Sequence, residues 1–169
     1  MNDENFFKGV YVIDCFSSVI VSERYANIYR ISKELIVKLP ASIDAVKSER
    51  IEDHLKRLFN EALLQKQAYD LGVRVPRVEG IFRIDICNNC KLHKKISVPG
   101  LVMEYIPGRH PHNDRGNVLF EELLKVEMSK ARNAGFVPGI DSLFNQNIIW
   151  DDLRELVHLI DLGCWSVLR

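Results

Sequence analysis

A lysine set inside an apolar strand pattern is the feature that most constrains this chain. Ile36-Val37-Lys38-Leu39 closes a set of segments rich in β-branched and aromatic residues: Val10-Tyr11-Val12-Ile13, Val19-Ile20-Val21, Ile28-Tyr29-Arg30-Ile31 and Leu35-Ile36-Val37-Lys38-Leu39. Short polar turns join them, and Pro40, which cannot donate to a ladder, stops the run. The pattern predicts a meander of antiparallel strands. An ammonium in such a sheet is costly without a partner. Either a carboxylate packed across the sheet supplies one, or Lys38 reaches solvent from the strand end.

The next segment offers the carboxylate. Residues 48–71 read as a helix, with Ser48 as N-cap and Glu49 and Glu52 near the positive end of its dipole. Ile51, Leu55, Leu58, Ala62 and Tyr69 recur at helical spacing, with Phe59 beside them. Gly72 suits a left-handed C-terminal cap. Glu61 lies mid-helix at the border of the apolar face. Packed across the sheet, it would pair with Lys38; the alternative is an ordinary solvated helix charge.

Two further strands are expected over residues 81–86 and 96–106, joined by a polar loop at 87–95 and broken by Pro107-Gly108. Residues 109–116 read as a linker. A second helix is expected over residues 118–134, with Leu119, Leu123, Val126 and Ala131 as core positions and Gly135 ending it. Two last strands, 147–150 and 156–160, form a hairpin around Asp151-Asp152-Leu153-Arg154.

Composition bounds the function. With 169 residues, 47% of them hydrophobic, the chain can build a packed core. Lysine plus arginine equals aspartate plus glutamate at 23 each, so nothing global points to nucleic acid or an anionic membrane. No apolar run reaches the roughly 20 residues of a membrane span. The polar, acidic start Met1-Asn2-Asp3-Glu4-Asn5 is not a secretory leader. Four scattered cysteines do not make a disulfide scaffold, so a reducing, cytoplasmic setting is expected.

Five features occur in a telling order: Lys38 on a strand, Glu61 on the helix after it, Leu101-Val102-Met103-Glu104-Tyr105-Ile106-Pro107-Gly108, Asn147 opening Ile148-Ile149-Trp150, and Asp161 in Leu159-Ile160-Asp161-Leu162-Gly163. In this order the chain resembles the protein kinase-like superfamily. It is most similar to the small atypical branches, the RIO-type and KEOPS-associated kinases and the aminoglycoside-phosphotransferase-like enzymes. Glu61-Ala62-Leu63-Leu64 through Leu71-Gly72-Val73-Arg74-Val75-Pro76-Arg77-Val78 is similar to the helix-to-strand passage of those proteins, and residues 101–108 resemble their hinge.

The resemblance covers residues 19–163 and implies an α+β, two-lobed kinase-like fold. Residues 1–108 would form an N-lobe of antiparallel sheet plus helix, with the hinge, and residues 109–169 a reduced C-lobe. It also implies roles. Lys38 would contact the triphosphate of ATP, with Glu61 orienting it. Glu104 to Ile106 would offer backbone groups to the adenine edge. Asn147 and Asp161 would hold Mg2+, which takes hard oxygen ligands.

Three departures accompany the resemblance. The expected phosphate-covering loop, Ser22-Glu23-Arg24-Tyr25-Ala26-Asn27, has no glycine, whose absence hinders close backbone approach to phosphate. In the catalytic-loop region, Pro138 stands where a histidine is expected. Asp141, the one carboxylate there, lies six residues before Asn147 rather than five. The sequence ends six residues after Gly163, short of a full C-lobe, which leaves Trp165, Val167 and Leu168 as expected exposed apolar residues that would want a protein partner or a homodimer mate.

The expected function is therefore a minimal kinase-like protein that binds Mg-ATP, with transfer to a protein Ser/Thr hydroxyl if Asp141 serves as base. The alternative is a pseudokinase acting as a protein-binding module. A third reading starts from Cys87-Asn88-Asn89-Cys90 and His93, half of a zinc site without a visible second half; a basic hairpin tip explains the same residues.

Overall fold

The computed structural model describes residues 8–13, 19–22, 26–40, 51–89, 94–111, 116–139 and 147–168. These form two compact units. One draws on Met1–Ala62 and Val78–Tyr105, the other on Leu63–Arg77 and Ile106–Arg169.

The first unit is built on a six-stranded sheet. Its strands are β1 (Val10–Ile13), β2 (Val19–Ser22), β3 (Ala26–Arg30), β4 (Leu35–Pro40), β5 (Val78–Asn89) and β6 (Lys94–Glu104), in the order β1-β5-β6-β4-β3-β2. Strands β2, β3 and β4 form the expected antiparallel meander. Strand β1 does not join it: it crosses to the far edge and pairs in parallel with β5, Val10 opposite Arg83. Its short apolar run carried no signal for which edge it would take.

Both faces of this sheet are apolar. Val37, Leu39, Ile84, Val98 and Val102 fill one side. On the other, Ile81, Leu101 and Met103 pack with Leu58 of helix α1 (Ile51–Asp70). Gly100 sits on the first side with no room for a side chain: a Cβ there would lie 2.6 Å from Ile84 and 2.7 Å from Leu39 and Val37. The side chains of Ile84, Leu39 and Val37 fill the space that carbon would take.

Helix α1 ends as its sequence suggests. Gly72 takes φ 81°, the amide of Val73 donates to the Ala68 carbonyl and that of Gly72 to the Tyr69 carbonyl, a Schellman closure. Its apolar face is not the expected one throughout. Leu58, Leu64 and Ala68 are buried, whereas Tyr69 and Phe59 are exposed. The buried stripe drifts around the helix because its two halves pack into different cores.

The second unit packs around Leu64, Ala68, Val73, Val75, Phe120, Met128, Phe136, Trp150, Val157, Leu159 and Trp165. Helix α2 (Val118–Asn133) begins at Asn117, whose side chain accepts from the Phe120 amide. It buries Phe120, Glu127, Met128 and Ala131, and leaves Leu119 and Val126 exposed. Of the expected core positions, Ala131 is buried and Leu123 packs against the core, while Leu119 and Val126 are corrected; Phe120, stacked edge-on against Trp150 at 5.7 Å between centroids, sets the face.

Strand β7 (Phe136–Val137) follows α2, and β8 (Ile148–Asp151) pairs with β9 (Leu156–Leu159) as a hairpin. A 3-10 turn, Leu162–Cys164, leads to β10 (Ser166–Val167), which pairs with β7. That turn folds Trp165 inward. The expectation of an exposed Trp165 is corrected: it is 5% exposed and part of the core, while Val167 and Leu168 are exposed.

Residues 109–111 are more than a linker. Arg109 exchanges both backbone hydrogen bonds with Trp150, and His110 Nδ1 lies 3.1 Å from the Ile148 carbonyl. Gly108, at φ 141°, brings the chain in; a Cβ there would lie 2.6 Å from the Trp150 carbonyl oxygen.

Candidate functional site

Lys38 and Glu61 meet. Lys38 pairs with Leu101 in the sheet and so lies on the face covered by α1. Leu58, one turn before Glu61, seats the helix on that face. The Lys38 ammonium then sits 2.9 Å from Glu61 Oε1 and 3.1 Å from Oε2, with both side chains largely buried. This is the strand-to-helix ion pair expected from the sequence. A bidentate carboxylate fixes where the ammonium points.

Met103 is paired with Ile36 of β4 and with Val78 of β5, and Tyr105 is held on its β4 side. The Tyr105 amide donates to the Glu34 carbonyl at 2.7 Å, and the Arg30 guanidinium lies 4.0 Å over the Tyr105 ring. Arg30 is itself fixed by donating to the carbonyls of Ser32 and Lys33. In an antiparallel pair, hydrogen-bonded and non-hydrogen-bonded positions alternate. Glu104, opposite Leu35 and next to the bonded Tyr105, therefore turns its backbone groups away from β4. Ile106 follows, buried in the second unit.

Asn147 and Asp161 lie at one end of the β8–β9 hairpin. The Ile160 amide donates to the Asn147 carbonyl at 2.9 Å, which brings both residues to the open end of the ladder. Asn147 is buried and Asp161 half-buried. Asp161 has φ 55° and ψ 60°, a left-handed conformation that Asp tolerates better than most residues. An amide oxygen and a carboxylate are a donor set that suits Mg2+, which is commonly held by one or two protein oxygens together with phosphates. Among the described residues no group of three or more His, Cys, Asp or Glu is arranged to hold a metal ion.

Asp141 falls outside the described residues, as do residues 23–25 of the glycine-free loop and Cys90 and His93. Of Cys87, the backbone alone is described, opposite Lys95.

Two groups escaped the sequence reading. Glu127 of α2 is fully buried and accepts from the Arg74 amide at 3.1 Å, from the Arg74 guanidinium at 3.2 Å and from Lys130 at 2.8 Å. Arg74 also accepts the Leu159 amide, so the passage after α1 is clamped between α2 and β9. His54 is the other. It stands two turns before Glu61 on the same side of α1, a spacing that was legible. Burial lowers its pKa below the ordinary value, a hydrogen bond to the Pro99 backbone works against that, and the charges of Arg57 and Lys38 lower it further.

No protein-family model and no curated protein matches the chain. Solved structures do. WbdD in a co-crystal with the kinase inhibitor LY294002 aligns at TM-score 0.55 and 18% identity, over 86% of this chain and 32% of that one. A further structure, described as the bifunctional kinase-methyltransferase WbdD, aligns at TM-score 0.55 and 18% identity, over 86% of this chain and 31% of that one. The chain thus spans about a third of the length of these solved chains. The fold is α+β and kinase-like, with an antiparallel sheet and helix of the N-terminal-lobe kind.

Proposed function

We propose that this chain binds Mg-ATP as a minimal kinase-like protein, of the small atypical kind its motifs resemble. The observation that carries the reading is the Lys38–Glu61 ion pair, since a lysine held bidentately on a sheet face is a fixed point charge for phosphate. In this reading Lys38 contacts the triphosphate and Glu61 orients it. The backbone of Glu104 and Ile106 meets the adenine edge, and Asn147 and Asp161 hold Mg2+. When bound, the metal neutralises charge on the phosphates. Asp141 is the candidate base for a protein Ser/Thr hydroxyl.

A second reading, binding without turnover, is favoured by the sequence of the glycine-free loop and by the six-residue step from Asp141 to Asn147. Positioning supplies most of phosphoryl-transfer catalysis, so both features lower transfer without abolishing binding. In either case a protein partner or a second copy is proposed to cover the apolar residues Val167 and Leu168, which are exposed.

A thermal-shift titration with ATP, with and without Mg2+, tests the reading. A ligand that binds the folded state raises apparent stability by mass action. LY294002, present in the WbdD co-crystal, serves as competitor. A Mg2+-dependent shift, with an ATP increment that shrinks when saturating inhibitor is already bound, supports nucleotide binding, and no shift at millimolar Mg-ATP overturns it.

A further inference from the structure

The face of the sheet beneath α1 has a regular order. Pro99, Leu101 and Met103 alternate along β6 on that side. Leu58 packs with Leu101, Glu61 reaches Lys38 beside it, and His54, one turn before Leu58, reaches Pro99. Pro99 has no amide hydrogen, so its backbone contact with His54 is made by its carbonyl oxygen. Among the described residues, the buried His54 Nε2 has no hydrogen-bond partner, so the imidazole donates through Nδ1. Two polar contacts, His54 with Pro99 and Glu61 with Lys38, thus flank the Leu58 contact along one side of α1.

We propose that His54 is a positioning residue: as the neutral imidazole it ties α1 to β6 through the Pro99 carbonyl and holds Glu61 in register with Lys38, and its protonation loosens that half of α1. The physical reason lies in what surrounds the ring. A proton on Nε2 creates a buried donor that no described residue receives. It also adds a positive charge beside Arg57 on α1 and Lys38 on β4. Glu61, the nearby carboxylate on α1, is already engaged with Lys38. Pro99 on β6 contributes a carbonyl that binds either form. Protonation is therefore relieved most readily by moving the helix away from the sheet, and Glu61 moves with it.

The helix inference stands on this geometry; its consequence for ligand binding rests on the nucleotide reading. The experiment separates them. Amide hydrogen exchange of ligand-free protein, expressed as protection factors, is measured at about pH 8 and about pH 5, spanning the range of an ordinary imidazole. In wild type, protection over residues 54–61 is expected to fall on the order of tenfold more than in His54→Asn, whose amide keeps a donor for Pro99 and does not titrate. His54→Leu is expected to lose that protection at both pH values. An equal fall in wild type and His54→Asn overturns the proposal. Should His54→Asn fail to fold, the His54 ring proton resonance decides: its titration midpoint matches the loss of α1 protection if the proposal holds, and a clear mismatch overturns it.

Mg-ADP affinity over the same range forms the second arm. The nucleotide's own titration cancels in the ratio of wild type to His54→Asn, and that ratio is expected to fall on the order of tenfold on acidification. A constant ratio beside pH-dependent α1 protection overturns the link from helix to ligand. Absence of binding to either protein overturns the nucleotide reading, and the exchange measurement still decides the role of His54.

Discussion

Lys38 and Glu61, 23 residues apart in sequence, hold each other at 2.9 and 3.1 Å on the α1-covered face of a six-stranded sheet. Removing one partner leaves a poorly solvated charge. Lys38→Ala or Glu61→Ala is expected to destabilise the protein by about 3–5 kcal/mol. The double replacement Lys38→Met with Glu61→Leu is expected to recover most of that while nucleotide binding stays lost. Urea midpoints and Mg-ATP thermal shifts on the same four proteins check both halves.

Asp161 carries a different risk, because its left-handed backbone penalises most replacements. Asp161→Asn suits that conformation and removes the charge. It is expected to stay within about 1 kcal/mol of wild-type stability and to lose the Mg2+-dependent part of any ATP stabilisation. An undiminished Mg2+ response in Asp161→Asn excludes the proposed metal role.

Glu127 predicts a purely structural effect. Glu127→Ala strips a buried acceptor from the Arg74 amide, the Arg74 guanidinium and Lys130, at an expected cost of about 3–5 kcal/mol. Glu127→Gln keeps an acceptor and is expected to cost less. Denaturation curves rank the three proteins, and equal stability of Ala and Gln variants would show that the clamp does little.

The His54 shift sets a pH dependence with a definite sign. Its folded-state pKa lies below the ordinary histidine value of 6.5, so below that pH the unfolded chain binds more protons than the folded one. The contribution is complete above about pH 6.5 and is lost as pH falls toward the lowered value. The melting temperature of wild type is expected to drop more steeply than that of His54→Asn across this window, as calorimetry in matched buffers would register.

Phosphotransfer is expected to be weak, with Asp141→Asn removing what there is. Radiolabelled ATP with a generic protein acceptor measures it. Strong transfer that survives Asp141→Asn would direct attention to another carboxylate. Asp151 is a poor substitute, since it is buried and accepts the Arg154 amide within its own turn.

What the sequence disclosed followed the strength of local rules. The β2–β4 meander, the Gly72 cap and the Lys38–Glu61 pair were legible, because strand alternation, helix closure and the cost of a buried charge each leave a mark on residue types. Edge choice left none, and so β1 was misjudged. The face of α2 was misread because Leu119 and Val126 fit helical spacing as well as Phe120 and Met128 do; the partner aromatic Trp150, 30 residues from Phe120, decides between them. Glu127 resembled any surface glutamate until the chain around Arg74 closed over it.

Gly108 shows how little material a critical position can contain. Its backbone passes so close to Trp150 that one added carbon would meet a carbonyl oxygen at 2.6 Å, and its φ of 141° already excludes most side chains. The Ile149 side chain stands beside it, but the nearest obstacle is backbone, which cannot swing aside as a side chain can. Saturation of this codon, selected for nothing but soluble protein, should return glycine almost alone, while the next codon, Arg109, which contributes its backbone to the same bridge, should accept a broad set of residues.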